Sequence, residues 1–127
     1  MAKFREKTIG ETKLILGKDE ESNDELMKKF KGKNNIILHT KAPGSPFLVI
    51  EKLKPTKDEL YLSGAVVARY SQDWRDNKGD VIVDVFTGKD ISKPKGLKIG
   101  TWVVKKKKSM TIKRQDIIYI LEKEKLK

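Results

Sequence analysis

Residues 55–87 read PTKDELYLSGAVVARYSQDWRDNKGDVIVDVFT, and they decide the fold. Thr56 and Glu59 have the spacing of a capping box. The threonine oxygen accepts from the third helical amide, and the glutamate reaches back to the threonine amide. Asp58 and Glu59 also suit the positive end of the helix dipole. Leu60, Gly64, Val67, Ser71 and Trp74 then recur at helical spacing, which predicts a long helix ending near Arg75, before Asn77-Lys78-Gly79. Ser63, Gly64, Ala65 and Ala68 are small enough to let that helix lie close on a sheet. The run from Val81 to Phe86 is apolar on both faces, as a central strand should be. Asp84 interrupts it. A free buried carboxylate is costly, so Asp84 is predicted to be hydrogen-bonded within the sheet.

Toward the amino terminus, Asn35 to Thr40 and Phe47 to Glu51 are predicted strands of one hairpin. Ala42-Pro43-Gly44-Ser45-Pro46 between them must turn, because two prolines and a glycine cannot continue a strand. Ser22 and Glu25 suggest a capping box and a short helix from about Asn23 to Phe30. Lys13 to Lys18 reads as a strand ending at Gly17. Toward the carboxy terminus, Lys89 to Lys98 is a loop. Thr101 to Val104 and Met110 to Ile112 suggest a hairpin joined through Lys105 to Ser109. Asp116 to Leu121 fits a strand or a helix. The expected fold is α+β, with a single mixed or antiparallel sheet packed against one long helix, plus one short helix. One domain is expected over residues 1–127, with its core at about 12–113 and a tail at 114–127.

The chain has 127 residues, 29 of them basic and 18 acidic, for a net charge of +11. The excess is one-sided. Residues 89–127 hold 13 basic and 4 acidic side chains, and the rest of the chain is nearly balanced. A heat-adapted surface would mix both signs along the chain. A concentrated excess is the footprint of a polyanion partner. There is no cysteine and one histidine, which excludes disulfides, thiolate metal sites and multi-histidine sites. No cofactor is expected. No apolar run approaches the roughly 18 residues that cross a bilayer, and no signal-peptide core stands at the amino terminus. The expected location is the cytoplasm, with no membrane partner. No serine sits in a nucleophile-elbow pattern, so no enzyme is expected.

The candidate RNA-binding residues fall into groups. Lys93, Lys95 and Lys98 lie on a loop stiffened by Pro94, with Lys89 just before it. Lys105, Lys106, Lys107 and Lys108 bind phosphate or, as lysines on an exposed hairpin, block edge-to-edge pairing. His39 and Lys41 precede Gly44 and Ser45, whose amides and hydroxyl suit a phosphate, although a plain hairpin turn explains them equally well. Lys18 and Asn23 lie at the start of a helix whose amides attract anions. Arg69 and Arg75 end the long helix, and Tyr70 beside Arg69 can stack a base.

In order along the chain, the landmarks are Leu16-Gly17-Lys18 with Asn23-Asp24, then Leu38-His39-Thr40-Lys41 with Pro43-Gly44-Ser45. Ala68-Arg69-Tyr70-Ser71 and Val83-Asp84-Val85-Phe86-Thr87 follow, and then Ser92-Lys93-Pro94-Lys95-Gly96 with Gly100. This set resembles the NFACT-R domain, the RNA-binding part of the NFACT proteins, over roughly residues 12–113. The resemblance implies binding to transfer or ribosomal RNA and to the large ribosomal subunit, in ribosome-associated quality control. It also implies a small, stand-alone member. Two positions depart from the family: Ile37 stands where tryptophan is usual, and Pro46 where histidine is usual. Two other classes fit the charge or the apolar tail. One is a protein-interaction or homodimerisation module using Ile117 to Leu121, and the other is a DNA-binding module.

Overall fold

The computed structural model describes residues 3–40 and 45–125. Its strands are β1 (Arg5–Ile9), β2 (Thr12–Leu16), β3 (Ile36–Thr40), β4 (Leu48–Ile50), β5 (Val81–Thr87), β6 (Ile91–Ser92), β7 (Val103–Val104) and β8 (Lys108–Ile112). Its helices are α1 (Glu20–Phe30), α2 (Lys57–Arg69), α3 (Gln72–Asn77) and α4 (Arg114–Lys125). Six strands form one antiparallel sheet in the order β1-β2-β4-β3-β5-β8, and β6 and β7 form a separate ribbon. The α+β expectation and the β3–β4 hairpin hold.

Alternation along the strands divides the interior. Leu14, Leu16, Leu38, Leu48, Ile50 and Val83 point to one face, under α2, α3 and α4. Ile15, Ile37, Val49 and Phe86 point to the other, under α1 and the β6–β7 ribbon. The small residues of α2 act as predicted. A Cβ on Gly64 would come within 2.5 Å of the Met110 side chain and 2.7 Å of Ile112, so α2 rides directly on β8. Gly88 is equally tight, because a Cβ there would meet the Phe30 carbonyl oxygen at 1.9 Å.

Several expectations are corrected. The long helix does not run to Arg75. It stops at Arg69, and Ser71 starts α3 by accepting from the Trp74 amide at 3.1 Å while donating to the Ala68 carbonyl at 2.6 Å. The first helix starts one turn earlier than Ser22, because Asp19 caps it. The Asp19 carboxylate takes the Ser22 amide at 2.8 Å, and the Ser22 hydroxyl takes the Asp19 amide at 3.0 Å. For the segment 116–121, which fits a strand or a helix, the structure gives the helix: it belongs to α4, held by the Tyr61 hydroxyl donating to Asp116 at 2.6 Å. Strands β7 and β8 do not form a hairpin. β7 pairs back to β6 and β8 pairs with β5, so the Lys105–Lys107 run crosses between sheets. β1 was not expected at all. Positions 42–44 of the predicted turn lie outside the described residues.

Asp84 is satisfied as predicted, by Ser109 at 2.8 Å and Lys107 at 3.1 Å. The tail's apolar side chains turn inward: Ile117 and Ile120 are buried in the α2–α4 layer, leaving Tyr119 as its exposed large ring.

Candidate nucleic-acid interface

Where β2 ends and β4 begins, the two faces of the sheet meet in a cleft of about 670 Å³. Gly17, Lys18, Asp19, Glu20 and Asn23 supply one side, from the turn into α1. His39, Ser45, Pro46 and Phe47 supply the sheet end, and Tyr70 and Gln72 come from the α2–α3 junction. Arg5 and the segment from Ile99 to Trp102, with Val104, complete it. Four residues predicted from sequence, Lys18, Asn23, His39 and Ser45, thus meet in one place. Lys41 and Gly44 lie outside the described residues.

Several of these groups hold the cleft in shape. Asn23 is inside α1, not at its start, and its carboxamide oxygen accepts from the Phe47 amide at 3.1 Å. A Cβ on Gly17 would sit 1.9 Å from that oxygen, so only glycine lets the turn pass. The expected anion site at the Asn23–Asp24 helix start is therefore absent, and Asp19 already covers the true first turn. The Ser45 hydroxyl accepts from the Gln72 amide at 3.2 Å, tying the sheet end to α3. His39 stacks on Phe47 at 4.2 Å between ring centroids. Its Nε2 is 3.2 Å from the Ser45 carbonyl oxygen, which can only accept, so Nε2 carries a proton. Burial lowers the His39 pKa from its ordinary value, and the Ser45 carbonyl and Asp84 only partly oppose that. His39 is thus neutral near pH 7.

The far wall is hung from one buried carboxylate. Asp24 Oδ1 accepts from Lys93 Nζ at 2.6 Å, the Gly100 amide at 3.1 Å and Trp102 Nε1 at 3.1 Å. Lys28 approaches Oδ2 at 3.2 Å. Burial by itself raises the Asp24 pKa, but these donors outweigh it and hold the group well below the carboxylate range. Lys93 also donates to the carbonyls of Lys98 and Thr101, at 2.7 and 3.0 Å. It is therefore a brace for its own loop.

The other predicted cations divide the same way. Lys107 is bound to Asp84, Arg75 to Asp76, and Arg69 to Glu124 at 2.7 Å. By contrast, Lys89, Lys95, Lys98, Lys105, Lys106 and Lys108 are exposed, and none pairs with a carboxylate among the described residues. The Lys105 amide donates to the Asp90 carbonyl at 2.7 Å, which brings Lys105 and Lys106 beside Lys89. Sequence reasoning missed Arg5, Gln72 and Trp102. Trp102 left one signal: a large aromatic opening a short apolar run, Trp102 to Val104, between two lysine clusters.

The family model described as the NFACT protein RNA binding domain matches residues 4–98. The protein named Rqc2 homolog RqcH of Streptococcus suis (strain 05ZYH33) is 32% identical over 106 residues, covering 83% of this chain and 19% of that protein. A solved structure of the C-terminal part of the fibronectin/fibrinogen-binding protein from Streptococcus suis superposes with a TM-score of 0.79 at 25% identity. That match covers 94% of this chain and 49% of the other. The chain thus spans about a fifth of the curated relative and about half of the solved one. Among the described residues, no helix is long and apolar enough to cross a membrane.

Proposed function

Because this chain belongs to the family of NFACT RNA-binding domains, we propose that it grips the phosphate backbone of transfer or ribosomal RNA through the lysines of residues 89–108. The observation that carries this is the set of six exposed lysines there without carboxylate partners among the described residues. Each is free to displace a counterion from a phosphate. Lys93 and Lys107 are excluded from that set, since their ammonium groups already neutralise Asp24 and Asp84. Contact with phosphate fixes orientation and carries little sequence choice. The likeness to Rqc2 homolog RqcH supports a place in ribosome quality control, with the large subunit as partner and the cytoplasm as location. The chain supplies binding there, and no catalytic step is assigned to it.

Filter binding of transfer RNA over a salt series tests this. Changing Lys95, Lys98, Lys105 and Lys106 together to alanine should weaken binding and flatten the log–log salt slope by roughly 3, at about 0.7–0.9 for each phosphate no longer neutralised. An unchanged slope, or no binding by the natural chain at low salt, overturns the proposal.

A further inference from the structure

The cleft has features that a phosphate-tracking surface does not need. Its volume of about 670 Å³ is in the range of small-molecule sites, roughly 300–1,000 Å³. Two large rings enter it from opposite layers: Tyr70 packs with the α2–α4 side and Trp102 with the α1 side. The Tyr70 ring already carries the guanidiniums of Arg5, which also lines the cleft, and Arg69, at 4.3 and 3.9 Å from its centroid, so the planes left for a base are the Trp102 ring and the Arg5 guanidinium. Ile99 adds apolar surface at 48% exposure. Unstacked bases settle on such aromatic and guanidinium planes.

The charge inside is mixed. Asp19 and Glu20 face the same space as Arg5 and Lys18. Carboxylates repel a phosphate, but they accept hydrogen bonds from exocyclic base amino groups such as cytosine N4. The rim is different. The wall-forming segment 99–104 is flanked by Lys98 and Lys105, both exposed and without carboxylate partners among the described residues. The cleft is thus stacking and acid-containing within, and cationic at its edge.

We infer that the cleft takes one unstacked nucleobase of an RNA strand whose phosphates run along Lys98 and Lys105, and that it favours bases with an exocyclic amino group over uracil. This rests on the RNA-binding proposal above and adds a base subsite to it. The wall from 99 to 104, with Trp102, lies beyond the residues that the family model matches.

The test compares a blunt RNA duplex with the same duplex carrying one bulged nucleotide, by filter binding at fixed salt. A bulged adenosine or cytidine should raise affinity about tenfold, as stacking of one base provides, and a bulged uridine less. Trp74 is buried, so quenching of protein fluorescence by bulged but not blunt RNA reports on Trp102. Trp102→Leu should abolish the bulge preference, and Trp102→Phe, which gives up the same bond to Asp24 but keeps a ring, should retain it. Equal, salt-dependent affinity for both RNAs overturns the base subsite and leaves the backbone reading standing. Failure to bind either RNA at low salt overturns both.

Discussion

Replacing Lys93 with alanine separates a brace from a phosphate contact. The substitution removes Nζ from Asp24 at 2.6 Å and from the carbonyls of Lys98 and Thr101 at 2.7 and 3.0 Å. The Asp24 side chain is 7% exposed and that of Lys93 is 20% exposed, so the pair is largely out of water. Removing one partner of a buried pair costs about 3–5 kcal/mol. Here Lys28, the Gly100 amide and Trp102 Nε1 stay on the carboxylate. We therefore expect a loss of about 2–3 kcal/mol, seen as a melting temperature lower by about 8–12 °C for a chain of this size. The pH response follows from Asp24, whose carboxyl is held below its ordinary value of 3.8. A depressed carboxyl stabilises the fold above that value and loses its contribution as pH falls below it. The gap between the natural chain and Lys93→Ala should therefore shrink below about pH 4. Circular dichroism melts give the stability, and filter binding with transfer RNA gives the salt slope. Lys95→Ala is the control and should lower the slope without moving the melt. If Lys93→Ala melts within about 2 °C of the natural chain and lowers the slope as Lys95→Ala does, the brace assignment is wrong.

His39→Gln should flatten the pH dependence of stability. A histidine whose pKa burial lowers stabilises the fold above its ordinary value of 6.5 and withdraws that contribution as pH falls below it. Urea midpoints at pH 7.5 and pH 5 measure this, and an unchanged difference between them refutes it. Ser71→Ala removes the cap that starts α3, together with the bond to the Ala68 carbonyl. It should cost about 1 kcal/mol in chemical denaturation, with unaltered binding to blunt RNA duplex.

The parts of the fold that the sequence made legible are those where neighbouring residues carry the signal. Thr56 and Glu59 cap α2 as their spacing implies, and the small residues of α2 announce its close approach to the sheet. β1 was missed because Arg5 to Ile9 is an edge strand whose Glu6 and Thr8 face solvent, so it reads as a charged terminus. The β7–β8 hairpin was wrong because proximity in sequence lost to distant partners: Ile91 pairs with Val104, and Val81 with Ile112. Asp19 and Ser22 both satisfy a capping pattern, and only the bonds they make to each other choose between them. The same limit applies to the lysines. Lys93 and Lys95 look alike in sequence, and what separates them is a carboxylate 69 residues away.

That carboxylate also governs how freely the surface around it can change. Lys93 and Gly100 meet at one oxygen of Asp24, so residues 94–99 form a finger closed at its base. Within the finger, Pro94 to Gly96 face solvent. Doubling the length of such a loop costs only about 0.6 kcal/mol in closure entropy. The finger can therefore be lengthened, or given another set of cations, without disturbing the sheet beneath it. It is the natural place to vary the charge that this scaffold presents.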